Sequence, residues 1–436
     1  MTEMRVAIAG LGTVGTGLLG IFAGDGADRA PRPLRVTAVS ARNRSRDRGV
    51  DISDYEWFDD PVAMAADDSS DVFVELIGGE DGVAKAAVEA ALKSGKHVVT
   101  ANKALICRHG LALAQLAEEH GVALRYEAAV AGGVPVVRGL RDGLAQAQVF
   151  GVMGVLNGTC NFILSQMDET GASFDDALLE AQKLGYAEAD PSFDIGGVDA
   201  AHKLVVLTAL AFDAMPQLED VDLTGIEAVS TDDIAAADEL GLTVKLVAEA
   251  ARHGDALALR VGPALVPSRE HLAQISGSDN IVIAEAMPVG RVAFTGPGAG
   301  GGATATAVAA DLVTIARGST GPVFSVPAAK INAEPRVTAE DTHDPYFLRL
   351  QVKDQPGVLA RVTNALGEAN VSVDTIHQAP AQMPSDPASD EPVEIVITTH
   401  LVPRPVIRPL IDTLSGLHAV IGRPSMFPIL TEEDPS

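Results

Sequence analysis

Ten residues in, the apolar run RVAIAG (5 to 10) gives way to Gly10-Leu11-Gly12-Thr13-Val14-Gly15, and a helical pattern with apolar residues on one face begins. A strand that turns through three glycines into a helix has little freedom of fold. The first glycine permits a tight turn, the second lets backbone approach a pyrophosphate, and the third lets helix and strand pack closely. The helix N-terminus adds free N–H donors and the positive end of a dipole. The loop therefore reads as a dinucleotide cradle, with Gly10, Gly12, Thr13, Val14 and Gly15 as its contacts.

Beyond this loop the strand-then-helix rhythm repeats. LRVTAVS (34 to 40), DVFVELIG (71 to 78), KHVVTAN (96 to 102) and ALRYEAAV (123 to 130) are apolar and strand-like. Helical stretches from 82 to 94 and from 105 to 120 separate the later ones. Alternation of this kind predicts α/β architecture: a Rossmann-type parallel sheet over residues 1 to 135 with helices on both faces.

From about residue 140 the pattern becomes mixed α+β, and a second domain is expected over 136 to 331. GVMGVLNGT reads as a strand and NFILSQMDE as a helix, and Ser173 to Asp176 reads as a capping box opening a helix that ends near Gly185. Later strands are expected at 256 to 266 and 280 to 293. The glycine-rich FTGPGAGGG then feeds a small-residue helix, about 303 to 317, which is expected to pack back on the nucleotide domain. Residues 332 to 345 read as a linker. The remainder, 346 to 436, gives the order βαββαβ of a ferredoxin-like domain, with a Pro- and Asp-rich loop at 379 to 392.

Composition narrows the function classes. At 436 residues and 47% apolar, the chain is too long for one core and too apolar for disorder. A formal charge of −27 opposes phosphate surfaces, so neither nucleic acid nor an anionic membrane is an expected partner. The longest apolar runs fall well short of the roughly 20 residues needed to cross a bilayer. Two cysteines, Cys107 and Cys160, cannot make a disulfide framework, and no secretory leader opens the chain, so a reducing cytoplasm is expected.

The candidate chemistry is concentrated in GYAEADPSFDIGGVDAAHK (185 to 203), which carries Glu188, Asp190, Asp194, Asp199 and Lys203 in one loop and helix start. A helix beginning near Val198 would set Asp199 and Lys203 on one face. Lys103, in Thr100-Ala-Asn-Lys103, falls just past the C-terminal end of a parallel strand, where such sheets place ligands; it either faces the nicotinamide or starts a helix in solvent. After the second strand the chain runs Ser40-Ala-Arg42-Asn-Arg44, with no acid for a ribose 2′-hydroxyl. Arginine there accepts a 2′-phosphate, so NADP is favoured and NAD stays possible. The loop at Glu127, Val130, Gly132 and Val134 offers one carboxylate and backbone carbonyls, hard oxygen ligands for a small cation.

Taken together these motifs resemble the homoserine dehydrogenase family, and the tail, with Asp354-Gln-Pro-Gly357, resembles an ACT domain. The segment 185 to 203 resembles the family signature. Thr100 to Lys103, Asn157 to Asn161 and Phe294 to Gly300 match further family segments. The resemblance implies reversible hydride transfer between NAD(P)H and L-aspartate 4-semialdehyde, giving L-homoserine on the route to threonine and methionine. It implies Glu188 and Asp199 as substrate ligands, Asp194 beside them, Lys203 or Lys103 as proton donor, and Gly185 and Gly300 near the cofactor. It also implies sodium at the Glu127 loop, threonine as effector near Gly357 and Gln378, and a homodimer through the middle domain or a tetramer through the tail.

Overall fold

The computed structural model describes residues 3–24, 30–340, 342–378 and 392–430. Its first six strands, Met4–Ala9, Leu34–Ser40, Glu56–Phe58, Val72–Glu75, His97–Thr100 and Leu124–Arg125, form one parallel sheet in the order 3-2-1-4-5-6. Strand order reverses between the first and fourth strands. A crevice opens at the carboxyl ends there, and ligands bind at such switch points. One face of the sheet is closed by the helices Thr13–Ala23 and Gly301–Ala316, which pack with Leu18, Leu19, Val308 and Leu312 against Val6, Ile8 and Val74.

The second sheet runs Gly290–Pro297, Asp279–Met287, Gln148–Val155, Leu242–His253, Ala256–Pro267 and Asp222–Leu223, antiparallel except at its last pair. Helix Val198–Phe212 lies against it with every residue but Val198 and Ala211 buried. Its apolar residues belong to one continuous core that also includes Phe73, Val98 and Leu105 of the first sheet and its helices. The helix is therefore packed by both halves.

The tail forms a four-stranded antiparallel sheet ordered Val373–Gln378, Pro392–Thr399, Tyr346–Lys353, Val420–Pro428, with helices Val358–Glu368 and Arg404–Ser415. This is the ferredoxin-like order expected from βαββαβ. The loop expected at 379 to 392 lies outside the described residues up to 391; Pro392 already belongs to a strand.

Several local expectations need correction. The stretch expected as a strand at 123 to 130 pairs only at Leu124–Arg125 before turning into the short helix Glu127–Ala129, because Glu127 must reach across to Asp311 and Arg138. The single strand expected at 280 to 293 is a hairpin of two strands turning at Pro288 and Val289. Leu242–His253, outside the expected strands, is the longest strand together with its partner Ala256–Pro267; twelve paired positions override the helix propensity of its Ala, Glu and Lys. Ser173 caps its helix by accepting from the Asp176 amide, but the Asp176 carboxylate takes the Ser173 hydroxyl rather than the backbone N–H, so the box is half made. The helix expected from Asn161 begins at Gly158, with Asn157 as its cap.

Candidate active site

A cavity of about 560 Å³ lies where the two sheets meet. Val14, Ala101, Lys103, Ala128 and Gly132 line it from the first sheet's loops, and Asn157, Gly185, Asp194, Asp199, Lys203 and Gly300 from the second half. Sequence positions far apart thus converge on one cavity.

Lys103 is placed by its two polar neighbours. The Thr100 hydroxyl donates to the buried Glu75 carboxylate at 2.5 Å and accepts the Asn102 amide at 3.0 Å. Asn102 caps the next helix through the Leu105 amide and ties its side chain to the Gly79 carbonyl at 2.7 Å. Lys103 is consequently the first helical residue, and its Nζ reaches Asp199 Oδ1 at 3.0 Å. Lys203, one turn along from Asp199, donates to Asp199 Oδ2 at 2.8 Å and to the Leu156 carbonyl at 2.5 Å. Lys203 is more enclosed than Lys103, with 11% against 32% of the side chain exposed.

Asp199 therefore sits between two ammonium groups. Burial alone would raise its carboxyl pKa, but Lys203 and Lys103 outweigh burial and hold it well below the usual carboxylate range. Asp194 goes the other way: burial raises it, and a hydrogen bond from Asn157 opposes that only in part. Asn157 joins the two acids, donating from Nδ2 to Asp194 at 2.8 Å and to Asp199 at 2.9 Å. Two carboxyls with pKa values pushed apart and two lysines facing one cavity are a set that can hold and move a proton.

The nucleotide end is built from glycine. Gly10 has φ +103°, and a Cβ at Gly15 would collide with the Gly10 carbonyl oxygen. A Cβ at Gly12 would meet nothing within 4 Å, which leaves that backbone open to a ligand. Helix Thr13–Ala23 and helix Gly301–Ala316 both start without a side-chain cap, and a Cβ at Gly301 would stand 2.7 Å from Thr13. Two uncapped helix starts side by side offer free amides to an anion. This arrangement suits a dinucleotide pyrophosphate.

Family models for the homoserine dehydrogenase NAD-binding domain, homoserine dehydrogenase and the ACT domain match residues 10–127, 135–313 and 346–419. The homoserine dehydrogenase of Pseudomonas aeruginosa is 40% identical over 433 residues, spanning 97% of this chain and 98% of that one. This chain belongs to the homoserine dehydrogenase family. The Bacillus subtilis homoserine dehydrogenase is 36% identical over 96% of both chains. A crystal structure of a homoserine dehydrogenase from Thiobacillus denitrificans superposes with a TM-score of 0.90, at 37% identity and 99% of each chain. A hyperthermophilic archaeal homoserine dehydrogenase in complex with NADPH aligns at TM-score 0.64 and 27% identity, over 73% of this chain and 99% of that one. The protein is accordingly an oxidoreductase with an NAD(P)-binding domain and an ACT domain.

Some residues expected at a homoserine dehydrogenase site stand apart from the cavity. Glu188 is exposed on the turn after Gly185, outside the lining, and its backbone carbonyl accepts from Gln182. Arg42 is exposed at the end of the second strand, on a loop whose Arg44 and Arg48 flank the Trp57 ring at 5.7 and 5.9 Å. Cys160 is buried, its thiol pushed well up by burial and donating to the Asp194 carbonyl, which suits a small packed residue rather than a nucleophile.

The Glu127 loop is more committed than its sequence suggests. The Glu127 carboxylate accepts from the Val137 and Arg138 amides and from Arg138 Nε at 2.9 Å. The Val134 carbonyl accepts from Val136 at 2.8 Å. Arg138 also reaches the buried Asp311 at 3.2 Å, whose carboxyl is pushed up to about 6 by burial and by Glu127. A carboxylate beside backbone carbonyls is still an all-oxygen donor set of the kind a small cation takes, with Arg138 and Arg141 both near it. Among the described residues no group of three or more His, Cys, Asp or Glu is placed to hold a metal.

Asn157, Arg138, Asp311 and Glu75 are among the polar residues at or beside the site to which sequence reasoning assigned no role. Asn157 carried a signal, an Asn between an apolar strand and a helix, which is a cap position. Asp311 carried none: an acid inside a small-residue helix reads as a solvent-facing position.

Proposed function

We propose that this homoserine dehydrogenase reduces L-aspartate 4-semialdehyde reversibly to L-homoserine, with NADPH preferred and NADH second. The observation that carries the reading is Asp199 held between Lys103 and Lys203 on the wall of the cavity that runs to the glycine loop. When bound, the nucleotide supplies the hydride to the aldehyde carbon. Lys203 gives the proton to the aldehyde oxygen: an ammonium has three hydrogens, Asp199 and the Leu156 carbonyl take two, and the third is free for substrate. Lys103, more exposed and over the Phe193 ring at 5.7 Å, steadies the charge of Asp199 and the far end of the substrate. Asp199 and Glu188 hold the substrate's hydroxyl and amino ends, Glu188 by folding in with the turn that bears Gly185 and Tyr186. Asp194 positions Asn157. Arg42 meets the 2′-phosphate.

The same reading extends to the rest of the chain. A sodium ion at Glu127, Val130, Gly132 and Val134 would brace the cavity edge, which Gly132 lines. Threonine acts at the Gly357 turn of the ACT domain, near Gln378. The protomer pairs through its middle sheet, with tetramers through the tail, and works in the reducing cytoplasm on the route to threonine and methionine. No described helix is long and apolar enough to cross a membrane.

The test is NADPH and NADH oxidation with L-aspartate 4-semialdehyde by wild type, Lys203→Met and Lys103→Met. Lys203→Met is expected to lose about 10²- to 10⁴-fold in kcat, the usual worth of a placed acid. It should stay folded, because Leu156 keeps the Asn280 side chain and Asp199 keeps Asn157 and Lys103 as donors. Loss only in Lys103→Met would transfer the proton to that lysine, and no turnover by wild type with either nucleotide would overturn the reading.

A further inference from the structure

A second cleft, of about 590 Å³, lies between the tail domain and the outer edge of the middle sheet, away from the glycine loop. One wall is a single face of helix Arg404–Ser415, presenting Arg404, Ile407 and Ile411 at helical spacing; Met426 and Tyr346 of the tail sheet continue it. Arg260, on strand Ala256–Pro267, closes the other side.

The two arginines are unusually enclosed. The Arg260 and Arg404 side chains are 9% and 10% exposed. Both donate to Glu249 Oε2, at 2.9 and 3.0 Å, and Arg404 also donates to Asp344 at 2.8 Å. Glu249 and Asp344 do not line the cleft, so its interior meets the cations while the acids stand behind them. Arg260 Nε is buried and has no hydrogen-bond partner among the described residues. A guanidinium edge is shaped for a carboxylate, and both arginines line the cleft. At the rim Asp222 pairs with Arg408 at 2.8 Å and Asp412 with Arg423 at 3.5 Å, so the mouth carries no excess charge of either sign. The isoleucines and Met426 ask for an apolar body.

We propose that this cleft is a binding site for a small monocarboxylate with a short branched apolar body, the carboxylate on Arg260 and Arg404 and the body against Ile407 and Ile411. This rests neither on the dehydrogenase reading nor on the Gly357 turn. Its position is consequential, because the floor is short of the active site by one strand-like step. The Thr224 amide donates to the Val261 carbonyl at 2.8 Å, and the Ile226 amide donates to the carbonyl of Ile195 at 2.9 Å, the residue after Asp194.

The test is calorimetric titration of the full chain with potassium 3-methylbutanoate up to about 10 mM, which fills about nine-tenths of a site of about 1 mM affinity. Saturable binding at one site per chain is expected. It should weaken at least about tenfold in Arg260→Lys, which loses the planar fork, and in Ile411→Glu, which sets a carboxylate on the apolar wall and leaves the arginine cluster intact. No saturable binding by wild type, or binding unaltered in Ile411→Glu, overturns the proposal. Potassium phosphate displacing 3-methylbutanoate at equal concentration would also overturn it, since the site would then read charge alone.

Discussion

Gly12→Ala separates the nucleotide cradle from the fold that carries it. A Cβ at Gly12 meets no atom within 4 Å, and the backbone there, φ −81° and ψ −161°, is extended and open to any residue. Alanine is a poorer cap than glycine by about 0.5–1 kcal/mol, and this is offset by about 0.4–1 kcal/mol from a less free unfolded chain. The thermal midpoint should therefore move by no more than about 2 °C. The new methyl nevertheless occupies the space through which a pyrophosphate would approach the uncapped amides of helix Thr13–Ala23. Losing one charge-assisted hydrogen bond costs about 1.5–3 kcal/mol, which is about 10- to 150-fold in affinity. NADPH fluorescence titration, beside a melt of the same sample, reads both quantities. Gly15→Ala is the contrast: its Cβ would strike the Gly10 carbonyl, so stability and binding should fall together, by about 1–3 kcal/mol of overpacking. Affinity in Gly12→Ala within about twofold of wild type would refute the placement of the pyrophosphate.

Other perturbations address other parts of the molecule. Asn157→Ala removes a helix cap and the shared donor of Asp194 and Asp199; a loss of about 2–3 kcal/mol in urea melts and a fall in kcat of about tenfold are expected, and full activity would remove Asn157 from its positioning role. Asp311 has a folded-state pKa of about 6, above its unfolded value near 3.9, so the folded state holds that proton more tightly and this group's contribution to stability is present at low pH and lost as pH rises through 6. Asp311→Asn should flatten that dependence, and a variant-minus-wild-type difference in melting temperature that is constant from pH 5 to pH 8, in potassium buffer, would contradict it. Arg349 binds the fully buried Asp233 at 2.6 Å, Glu394 at 2.8 Å and Ser230 at 3.1 Å, joining tail to middle domain. Arg349→Met should cost about 3 kcal/mol and speed proteolytic release of the tail; unchanged proteolysis would show that the docking lies elsewhere.

The glycine loop, the first sheet's order of strand and helix, and the tail topology were legible because each is written in local pattern: period, turn residues, caps. The pairing of Asp199 with Lys203 was legible for the same reason, being four residues apart on one helix. Lys103 reaching Asp199 was not, because 96 residues separate them and only the packing of two sheets brings them together; the sequence placed Lys103 at a strand end, facing the nicotinamide or solvent, without pairing it with Asp199. Strand Leu242–His253 was hidden because its composition favours a helix and its partner strand decides otherwise. Asp311 was hidden because a charge buried by tertiary packing looks, in sequence, like a charge in water, and its partly exposed partner Arg138 was hidden with it.

That division between local and tertiary contacts also bears on how the site works. Lys203 and Asp199 share one helix, so their pairing needs no other element. Lys103 heads the helix after the fifth strand, and its pair with Asp199 joins the two halves. Leu105 and Ile106 of that helix lie in the same core as Leu204 and Leu207 of the Asp199 helix, so one packed unit holds both lysines against the carboxylate. The lysines differ in enclosure rather than attachment, with 11% of the Lys203 side chain exposed against 32% for Lys103. A desolvated ammonium gives up a proton more readily than a solvated one, which is why the proposed reading gives the proton to Lys203 and the steadying of Asp199 to Lys103.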